Sequence, residues 1–396
     1  MSRIAKGKLS FEQLEQKQML AGDVIVNLVN GNLNIEGDAA ANQIAVFSGA
    51  VAGSLVVQGL DGTTVHLKGS TDAAAASGLI VEGVAGHVRM AMGAGDDVVN
   101  VYSATFPKGL SIATGEGADT VRVGVPPTTA PETAVAAAAD ATVPTHNVNV
   151  KGSLLIRTGT NDDNVRIADT GVGGEIGVST DGGSDTVAIG AEATTPAAAR
   201  KAASTSSTTT SDSDTTFTET ANVHARYGIN VLLGDGDDSL VIRSARTRGE
   251  IGVGGGLGAD LVTLADVKTY ALGIRGGDGD SSDAVKLSGV TARHAAIGLG
   301  GGADAATIAD SVFGNLAVEM GAGDDKLSIA ASKATRALLL GGAGSADELV
   351  KAADNAFDAL IVAGFEIPEG SNVGTVPGRG FFRPIHNILN ALGRRF

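Results

Sequence analysis

The stretch Gly234-Asp-Gly-Asp-Asp-Ser-Leu-Val-Ile242 sets a pattern, Gly-x-Gly-x-Asp-x-Φ-x-Φ with Φ aliphatic, that recurs along most of the 396-residue chain. It constrains the fold strongly, because a repeat of this size cannot bury its own apolar face and must stack on its neighbours. Aligned on the last aspartate of each turn, the copies stand at Asp97, Asp119, Asp163, Asp185, Asp238, Asp260, Asp283, Asp304, Asp325 and Asp347. Seven of the nine intervals are 21 to 23 residues, and the other two, 44 and 53, each enclose a low-complexity stretch.

Apolar residues follow each aspartate at +2 and +4, as in Val99 and Val101, Val165 and Ile167, or Leu240 and Ile242. The last copy decays, with Lys351 in the second place. A second alternating run ends just before each turn: Val88, Met90 and Met92; Ile229, Val231 and Leu233; Leu316, Val318 and Met320. Alternation of this kind describes strands with one buried face. Each unit therefore reads strand, glycine turn, strand, variable return. The expected fold is all-β, a right-handed parallel β-helix with about 22 residues per coil. Ten coils at the ~4.8 Å inter-strand spacing make a rod of about 50 Å. Returns such as 244–249 are too irregular to fix the number of strands per coil.

Hydrophobic residues make up 43% of the chain, enough for a core, while aromatics are only 3%, which suits a narrow aliphatic interior. The 57 glycines are roughly twice the usual share. No cysteine is present, so neither a disulfide framework nor thiol chemistry is available. A net charge of −15 without a basic patch argues against nucleic acid and favours cations as ligands. No apolar run reaches the length of a membrane span.

Three units follow from the pattern. Residues 1–22 are a basic, helical targeting or capping segment: Ser10 and Gln13 fit a capping box, and the absence of an apolar run sets it apart from an ordinary signal peptide. Residues 23–365 are the solenoid. They include a degenerate first coil with Asn42 in the aspartate position and a hairpin over 55–67 around Asp61-Gly62. Insertions at 124–147 (Pro, Ala, Thr) and 191–222 (Ser, Thr, Ala) read as long loops, either decoration or the rim of a binding face. Residues 366–396 are a tail ending in an amphipathic helix that starts at Pro384, stops at Gly393 and places Ile385, Ile388, Leu389 and Leu392 on one face. It reads as a cap over the open end of the core, or as a basic anchor through Arg383, Arg394 and Arg395.

Two resemblances bear on function. Leu14-Glu-Gln-Lys-Gln-Met-Leu-Ala21 resembles the LEPR-XLL segment of large bacterial extracellular proteins, with Lys17 in place of the arginine. It implies an extracellular or cell-surface location. Gly93-Ala-Gly95-Asp-Asp97-Val-Val99, and likewise 115–121, 234–240, 256–262, 300–306 and 321–327, resembles the nonapeptide of RTX proteins. That family binds Ca2+ between stacked turns through backbone carbonyls and the aspartate carboxylate. The period differs, one motif per coil here, so the resemblance implies a calcium ladder on one edge only. Its ligands would be the ten aspartates above, with Asp96, Asp237 and Asp324 (and Asp162) adding second carboxylates.

Electrostatics points the same way. Ionised carboxylates stacked about 4.8 Å apart repel, so they protonate or bind a hard cation. An aspartate that bonds turn amides without a metal is the alternative. For an enzyme the signs are poor. His66, His87, His146, His224, His294 and His386 form no metal or triad spacing, and aromatic platforms for sugar are scarce. The expectation is a non-enzymatic, calcium-stabilised extracellular or cell-surface solenoid with a structural or adhesive role, self-associating or meeting a cell-surface or matrix partner. The alternative is a β-helix polysaccharide lyase or hydrolase with Arg, Lys and Asp clustered on one lateral face, away from the Gly-Asp edge.

Overall fold

A computed structural model describes residues 22–74, 77–125, 147–190, 222–277 and 279–366. Every regular element in them is a β-strand. The two expected terminal helices lie outside the described residues, as do most of both insertions. Among the described residues no helix is long and apolar enough to cross a membrane.

The strands wind into a parallel β-solenoid. One coil shows the plan: a long strand Gly228–Asp235, the glycine turn, a post-turn strand Ser239–Arg243, a corner at Ser244, and a short third-side strand Ala245–Thr247. Each residue then meets its equivalent one coil later, as in Val231↔Val253, Leu240↔Val262 and Val223↔Ala245. Post-turn strands form a 13-stranded sheet, and the other two sides form a 19-stranded one. From Lys268–Arg275 onward the third-side strand and the following long strand fuse, reaching 11 residues in Thr291–Gly301 and Val312–Ala322.

The +2 and +4 positions do what their alternation predicts. Leu240 and Ile242 are fully buried and stack on Val262 and Leu264. Opposite them Ile229, Val231 and Leu233 close the interior from the long strands. All join one continuous cluster, filled mainly by Val, Ile and Leu. Branched side chains pack well on a pleated surface and lose little rotamer freedom there.

The first coils mix antiparallel with parallel pairing. Asp23–Val29 and Asn32–Glu36 form an antiparallel hairpin through Asn30 and Gly31, both at positive φ, as a two-residue primed turn requires. The Asp61-Gly62 turn is present, with φ of 47° and 90°, but it does not join a hairpin. Leu55–Gly59 pairs antiparallel with Gln43–Ser48 and Leu79–Val81, whereas Thr64–Leu67 pairs with Asp23–Val29 in the other sheet. The turn residues specify a reversal; the solenoid wall decides the partners.

A second recurrent corner follows each post-turn strand. Five or six residues after the aspartate the backbone turns left-handed, at Ser103, Gly124, Asp169, Gly190, Ser244, Asp266, Gly289, Asp310 and Ala331. Both insertions leave here, after Gly124 and Gly190, and the chain re-enters at the short strands Val148–Val150 and Val223–Ala225. At Ala331, with φ of 49°, a Cβ in this region costs ~1–2 kcal/mol. Allowing for the greater freedom of an unfolded glycine, Ala331→Gly is expected to stabilise by about 0.5 kcal/mol. A raised urea midpoint at unchanged m-value checks it.

Candidate functional site: the aspartate ladder

The glycine turn brings the predicted aspartates into one line. All ten inner aspartates are at most 5% exposed. Each accepts, through Oδ1, the backbone N–H of the aspartate one coil earlier: Asp97 N–H to Asp119, Asp119 to Asp163, Asp163 to Asp185, Asp185 to Asp238, at 2.7–2.8 Å. The line continues through Asp260, Asp283, Asp304, Asp325 and Asp347 at 2.8–3.1 Å. It opens at Asn42, whose N–H donates to Asp97. Turns that fit the motif loosely, at Asp163, Asp185, Asp283 and Asp347, hold the same rung. The 44- and 53-residue intervals leave the line unbroken.

The preceding aspartate of a turn works in the opposite direction. Asp96, Asp162 and Asp237 accept the N–H of Ala118, Ser184 and Ala259 on the next coil, and Asp324 accepts those of Ser345 and Ala346. These four carboxylates lie on the exposed edge. The Ser345 amide, with the Ser345 hydroxyl and the Ala346 amide, holds Asp324 below the usual carboxylate range. An Asp-Asp turn is thus a two-way clamp, inner carboxylate to the coil before and outer carboxylate to the coil after.

On most coils glycine opens the turn in a conformation and a space that a side chain does not fit, although Asp181 takes this place at φ of 64°. Gly234 and Gly256 have φ of 109° and 126°, and a Cβ on Gly256 would fall 1.7 Å from the Gly234 carbonyl oxygen. Two coils later, a Cβ on Gly300 would meet the Gly277 oxygen at 1.8 Å.

The inner row is electrostatically uneasy. At Asp97, Asp238, Asp260, Asp304, Asp325 and Asp347 the second oxygen, Oδ2, is buried without a hydrogen-bond partner. Where the side chain before the turn is missing, at Gly255 and Gly276, this oxygen fills the gap. A Cβ on Gly255 would lie 2.1 Å from Asp260 Oδ2 and 2.3 Å from the Gly276 carbonyl oxygen. On Gly276 it would lie 2.1 Å from Asp283 Oδ2 and 2.4 Å from the Leu299 oxygen. Two acceptors facing one spot need a proton or a cation between them. Asn42 makes the same point: where the aspartates have Oδ2, its Nδ2–H2 donates to the Met92 carbonyl on the next coil at 3.3 Å.

Burial therefore pushes Asp97, Asp163 and Asp260 up to about 7, and Asp238 and Asp304 up to about 6; the accepted amide opposes the shift and neighbouring carboxylates add to it. Asp119, Asp185, Asp283 and Asp325 are raised for the same first reason. Beside Asp119, Asp163 and Asp185 the hydroxyls of Thr114, Thr158 and Thr180 partly offset burial. As oxygen donors, orphan carboxylate atoms next to main-chain carbonyls suit a hard cation. Among the described residues no three His, Cys, Asp or Glu side chains converge on one point, so such an ion would take carbonyls as its remaining ligands.

The repeat did not disclose the matching arrangement at the left-handed corner. There Asn147 accepts the Ser103 N–H, Asn222 the Asp169 N–H at 2.7 Å, Ser332 the Ser311 N–H at 3.2 Å and Asn355 the Ser332 N–H at 2.9 Å. The sequence signal is a small polar residue just before most third-side strands, Val267 and Val290 being the exceptions. No family profile, curated protein or solved structure matches this chain.

Three outcomes follow. Gly256→Ala is expected to destabilise by about 3 kcal/mol, from strain and from overpacking. Asp260→Ala strands the Asp238 amide and is expected to cost ~1–3 kcal/mol, whereas Asp260→Asn keeps an acceptor, loses the buried charge and is at least as stable as the parent above pH 7 without metal. Chemical denaturation of both variants reads this. The folded chain holds protons that the unfolded chain, with aspartates near 3.9, has released. Metal-free stability is therefore greatest at about pH 4 and falls steadily as the pH rises to about 7, which urea midpoints across that range measure.

Proposed function

We propose that this chain is a non-enzymatic, structural or adhesive β-solenoid of the cell exterior whose aspartate ladder is neutralised by calcium. The carrying observation is the row of ten buried carboxylates, at least six with an orphan Oδ2, and with Oδ2 of Asp260 and Asp283 set beside main-chain carbonyl oxygens. Inside cells free calcium is too scarce to fill weak sites. Outside, calcium is abundant enough for weak sites to fill. The resemblance of the turns to the RTX nonapeptide and of residues 14–21 to the LEPR-XLL segment supports the same reading. The inner aspartates, Asp97 to Asp347, would contribute Oδ2, and Asp96, Asp162, Asp237 and Asp324 would raise the local anionic potential. Bound calcium would supply the positive charge that the buried row lacks.

A polysaccharide lyase or hydrolase is the second reading. It needs Arg, Lys and Asp clustered on a face away from the glycine turns, whereas the charged trough of about 650 Å³ that holds Asp235, Arg275 and Glu319 runs along those turns, at Gly234, Gly256, Gly277 and Gly300. Release of unsaturated or reducing ends from acidic polysaccharides would establish it.

Thermal unfolding at pH 7.5 tests the first reading. Millimolar calcium is expected to raise the melting temperature and excess chelator to lower it, with the shift larger at pH 7.5 than at pH 5, where protons already neutralise the ladder. A melting temperature indifferent to both leaves the aspartates as amide acceptors and removes calcium from the proposal.

A further inference from the structure

The third side of the middle and later coils carries one sign of charge. Segments 223–227, 245–249, 268–272, 291–295, 312–316 and 333–337 cover this side and the bend that follows it. Together they hold seven Lys or Arg and no Asp or Glu, in a chain with 44 acidic residues against 29 basic. No run of basic residues marks this face in the sequence, because no coil supplies more than two of them. Register brings them together: Arg246 stands beside Lys268, and Lys268 beside Thr291. Acidic residues flank the face, with Asp266 and Asp310 exposed at the left-handed corner and Glu175 and Glu250 at the start of the long strands. The basic zone is therefore a ridge, about 10 Å across and, over five coil steps, about 24 Å long.

Two of the chain's three tyrosines stand on this ridge. Both are exposed, Tyr227 at 64% and Tyr270 at 50%. Each has a guanidinium over its ring: Arg226 lies 5.4 Å from the Tyr227 centroid and Arg293 5.8 Å from that of Tyr270. His294 meets the Tyr270 ring edge-on at 5.6 Å. Such contacts hold a cation and an aromatic surface side by side. Gly249 separates the two rings: a Cβ on it would fall 1.4 Å from the Tyr227 carbonyl oxygen, and its own carbonyl accepts the Tyr270 N–H. The rings thus stand two coils apart, about 10 Å along the rod.

We infer that this ridge binds a linear acidic polysaccharide, with a carboxylate on each sugar, lying along the rod. Arginine is always charged and presents a fork of donors that matches a carboxylate. An exposed tyrosine face takes the apolar C–H face of a sugar ring. The coil repeat of ~4.8 Å is close to the length of one sugar unit, so cations meet successive carboxylates while the two rings meet alternate sugars. A single strand of nucleic acid stacks successive bases on aromatic platforms, and two rings two coils apart do not supply them. A duplex or a bilayer would press its own negative charge against the acidic flanks of a chain of net charge −15. With no carboxylate in these segments the ridge lacks the pair of acids that glycoside hydrolysis uses; it holds the glycan. This site is separate from the aspartate ladder and does not depend on calcium there.

Calorimetric titration of the full-length protein at pH 7.5 in millimolar calcium, with an oligogalacturonate long enough to span the ridge, tests this. Arg226→Gln with Arg293→Gln is expected to weaken binding at least about tenfold, and Tyr270→Ala about fivefold, each at an unchanged melting temperature. Lys286→Gln with Lys326→Gln removes the same charge from the exposed post-turn face and is expected to leave the affinity within about twofold. Absence of binding to the parent overturns the inference. So does an affinity that the ridge substitutions leave unchanged, or that the post-turn pair lowers equally. Tighter binding of single-stranded DNA or of phosphatidylserine vesicles than of the oligogalacturonate gives the ridge another partner, and also overturns it. The response of the melting temperature to calcium, which decides the ladder, has no bearing on these outcomes.

Discussion

The solenoid depends on how it treats amides at its corners. Along the sides, each strand N–H finds a carbonyl on the neighbouring coil as a consequence of stacking. At a corner the chain turns out of that plane and presents an N–H that no strand meets, in a place sealed from water. An unsatisfied buried amide costs ~1–3 kcal/mol, and ten such corners would exceed the stability of an ordinary domain. The inner aspartate Oδ1 removes the problem once per coil. It does so at the cost of burying a carboxylate, and the remaining chemistry of the turn, raised pKa values and orphan oxygens included, follows from that exchange.

Much of this was legible in the sequence. The period, the +2 and +4 rows and the position of every rung could be read, because glycine at positive φ and aspartate at a fixed offset leave few alternatives. Asn42 was recognisable as a rung from Ile44 and Val46 behind it. The direction of the aspartate side chain was not. A Gly-x-Gly-x-Asp turn is compatible with a carboxylate facing solvent or the interior, and only the stack, with its amide 2.7–3.1 Å away, settles which. The third side escaped as well. Its strands are three residues long, too short for alternation to register, and its corner uses Ser, Asp, Asn or Gly in no fixed order. The Asp61-Gly62 turn misled for a related reason: local turn chemistry does not choose a partner strand.

The two ends of the described rod differ in kind. At the first coils the two sheets continue through antiparallel pairs, and Phe47 stacks on Tyr102 outside the main core at 5.3 Å. Strands paired in this way do not present a regular coil to a neighbour, which is one means of blunting a sheet edge. At the other end the repeat runs in strict register to Glu348–Lys351 and Ala356–Ala363, with the ladder still pointing forward.

Both insertions leave through the left-handed corner, and neither moves a rung of the aspartate line. Loop-closure entropy grows only slowly with length, so a segment of twenty or thirty residues there is tolerated almost as readily as a short one. The glycine turn has less freedom, since carbonyl and Cα of successive coils already touch, and only the turns before Asp283 and Asp347 are longer than their neighbours, by two residues and by one. Coil number and surface decoration are therefore independent variables in this architecture: one is written into the sealed edge, the other is spliced in at an open one. New sequence can be acquired at that corner, and its contribution tested by descent, without the rod being refolded around it.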